Sequence, residues 1–192
     1  IMKTIKRTIL GIILFSAYTS NAQDTSYQNM IKVGLNGGAS LPMENATASV
    51  GVDLGYQHLV TPGFGVGIMT GYNQYFGREN DGIENNDFGV IPVAALLRFY
   101  PKQTGFYIGT DIGYGFITGN EDVASNSSVD RPDGGFYIKP EIGYHNRHWN
   151  FAIQYNKVFT GEEGQILAQD YNAGSLGIGV SYNLPLGQNA TK

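Results

Sequence analysis

The sequence predicts an all-β protein, an eight-stranded antiparallel up-and-down transmembrane β-barrel with short turns at one end and longer loops at the other. Three observations predict it. Apolar and polar residues alternate with period two in eight separate stretches, the pattern of strands whose two faces meet different surroundings. The connections between those stretches alternate between short and long. Glycine is abundant, at 27 of 192 residues, beside 13 tyrosines and 10 phenylalanines, while charged residues make up only 15%. Glycine inside strands marks places where backbones or side chains approach closely.

The strands follow in order. The first covers residues 31–39, with Ile31, Val33 and Leu35 on one face. The second, 48–59, aligns Ala48, Val50, Val52, Leu54 and Tyr56. The third, 64–75, aligns Phe64, Val66, Ile68, Thr70 and Tyr72, and the fourth, 88–100, aligns Ile91, Val93, Ala95, Leu97 and Phe99. The fifth, 106–117, carries Phe106, Ile108, Ile112, Tyr114 and Phe116. The sixth, 136–145, carries Phe136, Ile138, Pro140, Ile142 and Tyr144. The seventh, 149–159, carries Trp149, Phe151, Ile153 and Tyr155, and the eighth, 175–184, carries Leu176, Ile178, Val180, Tyr182 and Leu184. These lengths suit tilted membrane strands, which need ~9–11 residues.

Residues 1–22 read as a cleaved signal peptide in preference to a short anchor helix. Lys3, Lys6 and Arg7 form a basic start, residues 8–18 are apolar, and Ser20 and Ala22 are small residues at positions −3 and −1 of a cleavage site. Residues 23–192 then form the barrel domain. Loss of the three basic residues takes the formal charge from −4 to −7. After residue 22 the longest apolar run is 90–97, too short for a membrane helix of ~20 residues. A strand barrel remains open, because alternation averages to mild hydropathy.

Composition excludes several functions. The chain has no cysteine, so disulfides, cysteine-held zinc, a thiol nucleophile and a cysteine lipid anchor are ruled out. A net negative charge leaves no basic surface for nucleic acid. An apolar content of 42% argues against disorder. No cofactor or metal is expected.

Short connections lie at 60–63, 101–105 and 146–148; long ones lie at 40–47, 76–87, 118–135 and 160–174. Outer-membrane barrels are built this way, with short periplasmic turns and long outside loops. An even strand number then puts both termini on the periplasmic side. The apolar face carries aromatic residues near both strand ends, as two lipid–water interfaces require. Lys157 is the single charge on that face, near an outer end where it can reach the interface. The opposite face is small and polar, with Gly34, Gly67, Gly109, Gly143 and Gly179 among its members. A secreted lipocalin-like barrel is the alternative, but its apolar face would point inward.

These residues resemble a family, the small eight-stranded outer-membrane β-barrel proteins of OmpA-like and OmpX-like type, as found in Bacteroidota. The resemblance covers the whole mature chain. It is carried by the alternating strands, by the run IPVAALLRFY from Ile91, and by the glycine-rich YIGTDIGYG from Tyr107. It is carried also by SLGIGVSY from Ser175, which looks like the terminal signal read by the barrel-assembly machinery. Val180 stands where an aromatic is usual, and a tail after Leu184 extends past the usual end. The resemblance implies a monomeric integral protein of the bacterial outer membrane. Its partners would be outer-membrane lipids, lipopolysaccharide and, during biogenesis, the assembly machinery. Function is not dictated by this fold.

The inward charges by parity are Lys32, Asp53, Arg98, Asp111, Lys139 and Glu141, three of each sign. The interior of an eight-stranded barrel is only wide enough for side chains, and buried charge is costly unless paired. Mutual pairing into a plug is the leading expectation, and a narrow wet pore is the alternative. A lipid-modifying enzyme would need a base near the outer leaflet, whereas His58, His145 and His148 all fall near the short turns. A non-enzymatic role in envelope integrity or surface interaction follows. Twelve acids and two bases give the long loops a charge of −10, read as a solvated surface that opposes aggregation. Divalent-ion bridging to lipopolysaccharide is the competing reading. On the lumen side, Gly67→Ser is expected to be milder than Ile68→Arg or Ile112→Arg on the apolar face.

Loop length and parity together generate the first prediction. Epitope tags inserted at Gly82, Asn126 or Gly164 are expected to be labelled on intact cells, and a tag at Gln103 is not. Labelling at Gln103 alone would reverse the orientation.

Overall fold

The computed structural model describes residues 28–146 and 148–186. Residues 1–27, which include the expected signal peptide, Arg147 and the residues after 186 lie outside the described residues. Among the described residues ten strands form: β1 Asn29–Ser40, β2 Ala46–Thr61, β3 Phe64–Gly77, β4 Glu79–Asn80, β5 Ile83–Glu84, β6 Phe88–Phe99, β7 Gly105–Gly119, β8 Gly134–His145, β9 Trp149–Phe159 and β10 Ala173–Pro185. Eight of them close into a barrel in the order β1-β10-β9-β8-β7-β6-β3-β2, with every pair antiparallel. They are the eight strands that the alternation predicts, extended by a few residues at most ends. The two extra strands, β4 and β5, are a hairpin inside the 76–87 connection. Its two-residue turn, Asp81-Gly82, has positive φ at both positions, 49° and 78°, the type I′ geometry that Asp-Gly favours.

Two prolines interrupt the ladders from within. The β3–β6 pairing skips from Thr70↔Val93 to Asn73↔Val90 beside Pro92. The β8–β9 pairing skips from Ile138↔Lys157 to Glu141↔Gln154 beside Pro140. Each proline lacks the N–H that the missing rung would use. On its other side each strand stays in register, with Pro92 opposite Gly115 and Pro140 opposite Thr110.

The apolar face points outward. Ile68, Phe106 and Ile178 are 67%, 74% and 69% exposed. Lys157 reaches the amide of Asn172 in the following loop. The interior is layered. At the short-turn end, Met30, Leu59, Tyr100 and Tyr107 form a small apolar cluster. At the long-loop end a larger cluster joins strand residues Tyr75, Phe88, Val90 and Val158 to loop residues Ile83, Val123, Ala124, Ile166 and Tyr171. Tyr75 stacks on Phe88 at 4.7 Å, and Tyr171 lies 5.1 Å from Phe88. The loops also bind one another. Asn86 N donates to Val123 O at 2.9 Å and Ser125 N to Glu84 O at 2.9 Å. Gln169 accepts from Asn80 at 3.2 Å and donates to Asn85 at 2.8 Å. The long loops are therefore a packed cap, a feature absent from the sequence-based expectation of a solvated surface.

Gly67 corrects a second expectation. A Cβ there would run into the backbone carbonyl of Tyr56 on β2. Backbone cannot move aside as a side-chain end can, so Gly67→Ser is disruptive although the residue faces the lumen side.

The outward face gives the second prediction. Ile68→Arg, placed mid-strand on the wall, is expected to hinder assembly, at a cost of ~2–4 kcal/mol for arginine near a bilayer midplane. Ile68→Leu is expected to leave assembly intact. Heat-modifiable gel mobility of the refolded variants checks both.

Candidate functional site

Between the two apolar clusters the lumen is polar. The register explains how charge gathers there. One rung runs Arg98–Gly109–Glu141 across β6, β7 and β8; the next runs Leu96–Asp111–Lys139. Gly109 has no side chain, and a Cβ there would meet Cδ of Arg98. The arginine therefore lies across the gap toward β8. Its Nη1 donates to Asp111 Oδ1 at 2.7 Å, and its Nε sits 2.6 Å from Glu141 Oε1. Nη1 also donates to the carbonyls of Leu97 and Thr110, at 2.9 and 3.1 Å.

Lys139 completes the group. Its Nζ lies 3.1 Å from Asp111 Oδ2 and 3.1 Å from Asp53 Oδ2 on β2, across the lumen. Asn36 donates a further bond to the same Asp53 oxygen at 3.2 Å. Arg98 is 4% exposed, Lys139 3% and Asp111 0%, while Asp53 is the most accessible member at 20%. Five of the six charges expected from parity thus form one connected network of two cations and three carboxylates.

Lys32 is placed differently. It faces the lumen from β1, but among the described residues no carboxylate lies within ion-pair distance of it. Its Nζ donates to Asn183 Oδ1 at 2.9 Å, and Asn150 donates to the same oxygen at 2.8 Å. The register accounts for this: Lys32 stands between Asn183 and Gly55, with no acid on either neighbouring strand position. Mutual pairing of all six was expected; five pair, and the sixth rests on an amide.

The amides and hydroxyls were missed in the sequence reading. Gln57, Asn73, Asn150, Gln154, Asn156 and Asn183 are buried on the lumen side. Tyr75 OH donates to Asn156 Oδ1 at 2.5 Å, Ser49 to Ser175 at 2.8 Å, and Tyr100 OH to Gln57 Oε1 at 3.0 Å. The signal that could have found them is the same parity that found the charges.

A cavity of about 40 Å3 remains among Lys32, Asp53, Arg98, Lys139 and Glu141. One water needs roughly 10–15 Å3 by this measure, so the space suits two or three waters. The histidines lie at the short-turn end. His145 packs 4.5 Å from Tyr100 and donates from Nε2 to Lys102 O at 3.1 Å. His58 meets Asn29 at 2.8 Å, and His148 stacks on Tyr182 at 5.7 Å. Among the described residues no three His, Asp or Glu groups cluster as metal ligands.

Residues 8–183 match the family model described as outer membrane protein beta-barrel domain. No curated protein matches the chain in sequence. Among solved structures, the chain is similar in fold to Ail, the attachment invasion locus protein of Yersinia pestis. The identity is 15%, 81% of this chain and 97% of that chain are covered, and the TM-score is 0.51. The same protein in a phospholipid bilayer nanodisc gives 13% identity, 81% and 99% coverage, and a TM-score of 0.50. The N-terminal barrel domain of Pseudomonas aeruginosa OprF gives 14%, 82% and 98%, and 0.49. At these identities the likeness is one of fold.

Lys139→Ala leaves Asp53 and Asp111 buried without their shared cation. Breaking such a pair costs roughly 3–5 kcal/mol where the site is dry, and a clear drop in Tm is expected. Lys32→Ala is expected to cost less than half as much, because Asn183 keeps its bond from Asn150. Thermal melts of the refolded variants, followed by circular dichroism, compare the two.

Proposed function

Because the chain belongs to the outer membrane protein beta-barrel family, we propose that it serves as a non-enzymatic integral barrel of the bacterial outer membrane, plugged by its lumen charges. Its role is envelope integrity or surface interaction. The observation that carries this reading is the five-membered network joining β2, β6, β7 and β8 across the lumen, with only about 40 Å3 left beside it. Apolar clusters above and below the network support it, because an aqueous path would have to open both. The histidines support the non-enzymatic part, since the base a lipid-modifying enzyme needs would sit at the opposite end.

In this reading both termini are periplasmic, and the long acidic loops face outward. Lipid contacts the wall, and lipopolysaccharide meets the loop end. The assembly machinery reads β10, and the barrel works as a monomer.

Planar-bilayer recording of the refolded protein tests the plug. The wild type is expected to show no steady, large conductance, and Lys139→Ala is expected to admit a small one. Steady wild-type conductance, with Lys139→Ala altering ion selectivity at unchanged stability, would establish the competing channel instead.

A further inference from the structure

In the closed barrel every neighbouring pair of strands but one is joined by a connecting loop. A loop limits the stagger of the strands it joins. The exception is the seam, β1 against β10, where the register of 11 rungs must come from the strands themselves.

Most of those rungs carry little register information. Outward, the pairs are Ile31–Leu184, Val33–Tyr182, Leu35–Val180, Gly37–Ile178 and Ala39–Leu176. After a slip of two residues each of these positions again meets an apolar residue or glycine, and lipid does not distinguish the pairings. Such a slip also keeps every side chain on its own face, because the side-chain period is two. Inward, Gly34–Ser181, Asn36–Gly179 and Gly38–Gly177 each include a glycine, and glycine-rich strands specify register weakly. At the long-loop end Ser40 donates to Gly174 O at 3.1 Å, but backbone carbonyls recur all along β10. Ser49 on β2 meets Ser175 at 2.8 Å, a bond between neutral hydroxyls and so weaker than one from a charged donor.

Lys32 differs from all of these. Asn183 Oδ1 accepts from Lys32 Nζ at 2.9 Å and from Asn150 Nδ2 at 2.8 Å, so one oxygen ties β1, β10 and β9. All three side chains are buried. A two-residue slip one way sets Lys32 opposite Pro185, which has no side-chain acceptor. A slip the other way sets it opposite Ser181, whose hydroxyl already accepts from Asn150 at 3.1 Å. A buried ammonium that loses its acceptor is costly, and that cost falls on every register but the observed one.

We propose that Lys32 is the register pin of this seam. Its bond to Asn183 selects the stagger at which β1 closes on β10, and with it the shear of the barrel. The inference goes beyond the plug, because a conducting barrel would need the same closure.

The chain has no cysteine, so introduced pairs read the register directly. Leu35→Cys with Val180→Cys marks the observed rung. Leu35→Cys with Ile178→Cys, or with Tyr182→Cys, marks a slip of two residues in either direction. In the observed register those diagonal pairs stand roughly 7–8 Å apart, too far for a disulfide. Each pair is refolded, oxidised and read by mass spectrometry of its peptides. With Lys32 present only the Val180→Cys pair is expected to cross-link. Lys32→Met is expected to raise cross-linking of a diagonal pair at least about tenfold, the factor for losing one hydrogen bond from a charged donor. Lys32→Gln, which can still donate to Asn183, is expected to keep the observed register. The decisive variant exchanges two residues of β10, Ser181→Asn with Asn183→Ser. Composition and facing are unchanged, Asn150 stands opposite the new amide, and Lys32 is expected to follow it, so that the Ile178→Cys pair becomes the main product. A role in stability alone would lower the melting temperature without redirecting the cross-link. Retention of the observed register by both Lys32→Met and the exchange would overturn the proposal. Failure of the exchanged chain to form a barrel would count against it too, since its pin is restored two residues away.

Discussion

An arginine cannot shed its charge, and Arg98 holds its guanidinium inside a closed wall of strands. Almost no solvent reaches it. Such a group is tolerable only if acceptors surround it, and the middle of the barrel is arranged to supply them. Gly109 clears the path from β6 to β8, Asp111 and two backbone carbonyls accept from Nη1, and the Glu141 carboxylate forms an ion pair at Nε. Asp111 is then shared with Lys139, which reaches Asp53 on the far wall. Strands that are distant around the barrel are thereby tied through its centre. The β2–β8 link matters most, since β2 and β8 have no hydrogen bonds to each other.

Much of this was legible in the chain. Period two identified all eight barrel strands, and the same parity placed six charges inside, because a strand's side chains must alternate. Parity says which way a residue points and nothing about how far round the barrel its partner stands. Lys139 and Asp53 are 86 residues apart in sequence, and only closure brings them together. Lys32 shows the converse: its parity matches the others, yet its rung offers Asn183 and Gly55. Gly67 failed for a related reason. Its exposure to one face was read correctly, but the proximity of the Tyr56 carbonyl depends on local twist, which no pattern of residue types encodes. The Asp81-Gly82 turn, by contrast, was a readable hairpin signal inside a segment treated only as loop.

The loops show where composition misleads. Twelve acids suggest a solvated fringe, and most of these side chains do face water. Yet a few apolar residues among them, Val123, Ala124, Ile166 and Tyr171, are buried against Phe88 and its neighbours. Burial of apolar area is worth roughly 25 cal/mol per Å2, so a handful of such residues outweighs the weak, screened repulsion among exposed carboxylates. The cap forms because the minority residues decide packing, while the majority residues decide solubility.

The same two-residue period thus serves two solvents at once. On the outward face large aliphatic and aromatic side chains meet lipid, and their size costs nothing because the wall is unbounded. On the inward face space is finite, so glycine occupies the rungs over which a long side chain must lie. Gly109 under Arg98 and Gly65 against Gln57 are the clearest pairs. Glycine weakens a strand's own preference for extended structure, and closure offsets that weakness by giving every strand two hydrogen-bonded neighbours. Abundant glycine and a crowded polar lumen are therefore one feature. Enlarging the inward glycines would force the long side chains off their rungs, and the charges they carry would lose the partners that make their burial tolerable.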